Sequence, residues 1–182
     1  MKTENKLDLS VSMLRASILA IFIMVPIAVL QFSLFNILNH MTEITVTLNL
    51  MGILLFGIIV LASVVAHELI HGLTWVAAGK KPFSAVKFGI DWKTLTPFAH
   101  LMEPIEVNVY RIGGIMPGLV LGILPFFLSL ITGNNGLLWF SILQTAAASG
   151  DWVILLMLRN VKNGTLVEDH PTRAGCYSYI SQ

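Results

Sequence analysis

Residues 50–78 read LMGILLFGIIVLASVVAHELIHGLTWVAA, a run in which Glu68 is the only acidic residue and no lysine or arginine occurs. As an α-helix at 1.5 Å per residue it covers the roughly 30 Å hydrocarbon core of a bilayer. Near its end stands His67-Glu68-Leu69-Ile70-His71. Histidines four residues apart on a helix lie one turn apart on the same face, so both can bind one metal ion. Glu68 sits beside them, where a carboxylate can accept a proton from a water activated by that metal. In a soluble helix these five letters suggest a soluble metalloprotease. Inside an apolar span they raise different questions of substrate and of water access.

The composition extends that reading to the whole chain. Of 182 residues, 55% are hydrophobic and only 12% are charged, whereas soluble domains are about a quarter charged. The expectation is an integral membrane protein. A net charge of +1 offers no basic field for nucleic acid. Cys176 is the only cysteine, which excludes an intrachain disulfide and any multi-thiolate zinc site. A metal here must be held mainly by histidine and carboxylate.

Four stretches are long and apolar enough to span: about residues 13–35, 50–78, 112–131 and 137–158. The first exceeds a signal-peptide core and lacks a small-residue cleavage site, so a retained helix is expected, with a kink at Pro26. All 11 basic residues fall on one side of this four-span arrangement. Lys2, Lys6 and Arg15 precede the first span. Lys80, Lys81, Lys87, Lys93 and Arg111 lie between the second and third, and Arg159, Lys162 and Arg173 follow the fourth. The positive-inside rule makes that side cytoplasmic, with both termini there.

No internal repeat or linker divides the chain, so residues 1–182 read as one domain. The fold class expected is an all-α membrane protein of four transmembrane helices, with a short cytoplasmic β-ribbon in residues 79–110. Val86, Phe88, Ile90 and Trp92 alternate with Lys87, Gly89 and Asp91, and Ile105, Val107 and Val109 alternate with Glu106 and Asn108. Period-2 alternation predicts two short antiparallel strands. Thr96-Pro97 and Glu103-Pro104 argue against helix between them. No fold is assigned to the polar tail after Arg159.

Two histidines leave a catalytic zinc site one protein ligand short. Asp151 is the best candidate, a carboxylate inside the otherwise uncharged run 137–158, where an unpaired charge is expensive. Both spans enter from the same side, and counting residues from their starts puts His67 and Asp151 within about one turn in depth. The rivals are His100, which would have to fold back from the cytoplasmic connection, and Glu103 and Glu106, read as solvating the ribbon. His170 lies beside Glu168 and Asp169 in a run read as solvated, and His40 is on the opposite side. Gly118 and Gly122 have the small-xxx-small spacing of a close helix contact. Gly113, Gly114, Pro117 and Pro125 make the third span irregular, and Gln144 is read as helix–helix glue. Ser149 and Gly150 leave room before Asp151.

With these residues the chain resembles the site-2 protease class of intramembrane metalloproteases. More closely it is similar to a bacterial family of zincin peptidases, still a domain of unknown function. The similar parts are His67–His71, Val86–Ile90, Pro97-Phe98-Ala99-His100-Leu101 and Ser149-Gly150-Asp151, within about Leu50 to Arg159. The resemblance implies Zn²⁺ held by His67, His71 and Asp151, with Glu68 as catalytic base. It also implies a peptide or membrane-protein substrate, and residence in the bacterial cell membrane. The site-2 class carries Asn-x-x-Pro ahead of its aspartate and glycine after it; here Leu143, Ala146 and Trp152 stand at those positions.

The function expected is hydrolysis of peptide bonds near the cytoplasmic membrane face, with the strand at Val86–Ile90 pairing with an unwound substrate. The competing readings are a membrane metal-binding or transport protein and an inactive zinc-bearing scaffold. Transport needs polar residues along a path, and the spans offer few beyond Gln144 and Asp151.

Overall fold

The computed structural model describes residues 6–40, 49–92 and 96–179. Three of the four long rods start where the chain supplies a capping side chain. Ser12 accepts the Arg15 N–H ahead of α1 (Met13–Asn39), Asn49 accepts the Gly52 N–H ahead of α2 (Leu50–Gly79), and Asn134 accepts the Leu137 N–H ahead of α5 (Asn135–Leu158). The third rod is composite. It runs as α3 (Val107–Pro117), a π-helical stretch Gly118–Ile123, and α4 (Leu124–Thr132). It ends at Gly133, whose φ of +65° favours glycine.

All four rods are long and apolar enough to cross a membrane. In α1 and α2 only 11% of the most apolar stretch is buried by the protein itself. Residues such as Phe22, Leu54 and Ile58 therefore point outward. Continuous apolar exteriors of this kind suit a lipid surround.

Two small sheets sit at one end of the helices. β2 (Val86–Asp91) and β3 (Thr96–Leu101) form an antiparallel ribbon, with Phe88 opposite Ala99. β1 (Lys6–Val11), β4 (Ile105–Glu106), β5 (Leu166–Asp169) and β6 (Ala174–Tyr179) form a second sheet in the order β1-β6-β5-β4. This second sheet corrects the all-α expectation. The segments before α1 and after α5 pair with each other through β1 and β6. Val167 and Cys176 are thereby buried with Trp75, Val107, Tyr110 and Leu158 in the main core. The carboxylate of Glu168, in β5, is held below the usual range: Lys6 and Tyr179 hydrogen-bond to it and outweigh partial burial.

The ribbon is also corrected. Its second strand is Thr96–Leu101, and Val107 and Val109 belong to α3. Short alternation at 105–109 competes with a helical pattern, since Val107, Tyr110, Gly114 and Pro117 are the buried face of the helix. Pro97 is tolerated because β3 has a strand on only one side among the described residues. Arg111 locks the end of α5 by donating to the Leu158 and Val161 carbonyls, at 2.6 and 2.7 Å. Of the basic residues, Lys2 and Lys93 lie outside the described residues.

Candidate metal centre

The spacing on α2 turns His67 and His71 inward, with ring centroids 4.9 Å apart and both side chains buried. Asp151 reaches them from α5. Its Oδ2 lies 3.1 Å from His67 Nε2 and 3.4 Å from His71 Nε2. Among the described residues these three are the only His, Cys, Asp or Glu trio whose ligand atoms gather, all within 4.8 Å of one another.

The orientation of His71 follows from the irregular rod opposite. Pro117 has no N–H, so the carbonyl four residues before it, on Gly113, loses its helical donor. His71 Nδ1 donates to that carbonyl at 2.8 Å. A carbonyl only accepts, so the proton sits on Nδ1 and a neutral His71 offers its Nε2 lone pair to the centre. Glycine at 113 is required by close approach: a Cβ there would collide with the Trp75 indole. That indole stacks on His71 with centroids 5.3 Å apart, and Tyr110 stacks on the indole at 5.5 Å.

The donor set fits a divalent cation. The His71 lone pair and the Asp151 carboxylate face each other, which repels unless a positive charge lies between them. For zinc with tetrahedral bonds of about 2.0–2.1 Å, ligand atoms stand about 3.3 Å apart. The two separations from Asp151 lie close to that value.

Glu68 lies outside the trio but lines the same cavity of about 570 Å³ as His67, His71 and Asp151. The hydrogen bond from Met102 N–H to the Ala85 carbonyl fixes the ribbon's register. It leaves the backbone groups of Pro97, Ala99 and Leu101 on the outer edge of β3. Pro97 and Ala99 border the cavity and β2 does not. The strand that lines the cavity is thus β3, while β2 packs Val86 and Phe88 against α2 at Gly72.

Asp169 escaped the sequence reading as part of a solvated acidic run. It accepts the Leu101 N–H at 2.7 Å and the Tyr110 hydroxyl at 2.6 Å. Burial pushes its carboxyl up, and those two hydrogen bonds oppose the shift. The tail is therefore linked to both the β3 edge and the aromatic stack behind His71.

The rival ligands stand outside the trio, although His100 and His170 line the same cavity. His100 approaches Asp169 at 3.7 Å, and His170 Nδ1 accepts the Thr172 and Arg173 N–H groups. Glu103 pairs with Lys81, Glu106 accepts the Gly164 N–H, and His40 caps α1. Gln144 donates to Ser63 between α5 and α2. Gly118 and Gly122 face Trp152 and Thr145 of α5 so closely that a Cβ would clash.

Two histidines four residues apart on one helix, completed by a carboxylate from another and flanked by a glutamate, are the donor pattern of zincin-type sites. The family model described as "Putative zincin peptidase" matches residues 60–166, and the chain belongs to that family. Membership implies zinc. No curated protein and no solved structure matches the chain.

Proposed function

We propose that this protein is an intramembrane zinc metallopeptidase that hydrolyses peptide bonds near the cytoplasmic face of a bacterial cell membrane. The observation that carries this reading is the meeting of His67, His71 and Asp151 in one cavity with Glu68, on helices apolar enough for a bilayer. His67, His71 and Asp151 would hold Zn²⁺. When bound, zinc supplies Lewis acidity, lowering the pKa of water towards about 7 and polarising a carbonyl.

The chain's own groups do the rest. Glu68 accepts the proton of the attacking water and delivers it to the leaving nitrogen, so the carboxylate is regenerated. Gly113 and Trp75 keep His71 in a single orientation. A peptide must be extended to be cut, and the outward carbonyls of Pro97 and Ala99 can accept hydrogen bonds from an added strand. Lys80, Lys81, Arg111 and Arg159 flank helix ends beside the two sheets, and the positive-inside rule assigns that end to the cytoplasm.

The test uses purified full-length protein in detergent with fluorescein-labelled casein. Wild type should cut casein, lose the activity to 1,10-phenanthroline and regain it with added zinc. Protein that holds one zinc yet leaves casein intact would favour the non-proteolytic metal-binding or scaffold reading.

A further inference from the structure

Gly150 immediately precedes Asp151 on α5 and lines the cavity that contains His67, Glu68 and His71. Its surroundings separate it from the other helical glycines near the centre. At Gly113, Gly118 and Gly122 a Cβ would run into Trp75, Trp152 or Thr145, so packing within the chain explains them. At Gly150 a Cβ meets nothing within 4 Å. Backbone conformation does not call for glycine either, because the residue lies inside a helix and is not among those with positive φ. A helix interior is weakened by glycine relative to alanine. The chain thus keeps an unfavourable residue where its own atoms leave the space open.

The walls describe what the space suits. Met13, Ala16 and Ala20 of α1 and Ala146 and Ile154 of α5 line the same cavity. These five are apolar, three of them alanine, and the hydroxyls of Ser17 and Ser149 on the same wall donate to carbonyls of their own helices. The carboxylates and imidazoles of the cavity belong to the metal centre and to the sheet end.

We propose that the recess at Gly150 is a side-chain subsite. It receives a large apolar side chain, such as leucine or phenylalanine, from the residue adjoining the scissile bond, and the missing Cβ sets its size limit. This rests on the peptidase reading above. A peptide side chain is favoured over a lipid tail because the recess is continuous with Glu68 and Asp151, where the peptide's backbone would have to lie.

The test compares zinc-loaded wild type, Gly150→Ala and Gly150→Leu by thermal unfolding, zinc content and mass-spectrometric mapping of the casein bonds cut. Both variants should retain zinc. Gly150→Ala should melt at or about 2–4 °C above wild type, as a helix relieved of an interior glycine does. Gly150→Leu should lose cuts beside Leu, Phe and Met by about tenfold or more, keep those beside Gly, Ala and Ser, and leave Gly150→Ala in between. If leucine displaces zinc, the alanine variant carries the comparison. An unchanged cleavage map, the result expected if a lipid tail fills the recess, overturns the proposal; so does a lower Tm for Gly150→Ala, which means packing. Wild type that binds zinc but cuts no casein overturns the peptidase reading as well, and is recognised before any variant is compared.

Discussion

Replacing Glu68 by glutamine should lower peptide hydrolysis by roughly 10²–10⁴-fold while bound zinc stays at the wild-type level. Glutamine matches glutamate in shape and still offers a carbonyl oxygen. It cannot take up the proton released as water attacks. Glu68 also stands outside the trio of gathered ligand atoms, so the substitution leaves the metal donors in place. The measurement pairs casein cleavage rates with metal analysis of the same preparation. A variant as active as wild type would remove Glu68 as the base.

Asp151→Ala should have the largest effect on the metal. Loss of a residue that merely orients a ligand typically weakens zinc binding 10–100-fold. Removal of the carboxylate that approaches both imidazoles, at 3.1 and 3.4 Å, should therefore exceed about 100-fold. Asp151→Asn should fall between, since an amide oxygen can still coordinate but carries no charge to offset the cation. Competition with a chromophoric chelator measures the affinities. His67 and His71 remain on their helix in both variants, so weak residual binding is expected, and activity should fall with zinc occupancy.

Much of the site could be read from local rules. His67 and His71 needed only helix periodicity. Asp151 stood out because a lone carboxylate in an apolar run needs a partner, and helix rise put it at the right depth. The span starts near residues 13, 50 and 137 followed from apolar length, and the structure adds Ser12, Asn49 and Asn134 as their caps.

What escaped depends on contacts between distant segments. The support of His71 by the Gly113 carbonyl follows from a glycine four residues before Pro117, a spacing that frees a carbonyl but does not name its donor. Lys6-Leu7-Asp8-Leu9-Ser10-Val11 alternates as a strand should. Its partner lies at the far end of the chain, where Ala174–Tyr179 pairs with it. Asp169 looked like a solvated charge because its partners, Leu101 N–H and the Tyr110 hydroxyl, are on other elements. At 105–109 a five-residue alternation matched a strand, while the longer spacing of Val107, Tyr110, Gly114 and Pro117 matched the helix that forms.

Zinc K-edge X-ray absorption on protein carrying one equivalent of zinc asks most directly whether these side chains share one ion. The prediction is a shell of nitrogen and oxygen at about 2.0–2.1 Å with two imidazoles and no sulfur, altered when Asp151 is alanine. A third imidazole in that shell, or a spectrum indifferent to Asp151→Ala, would contradict it.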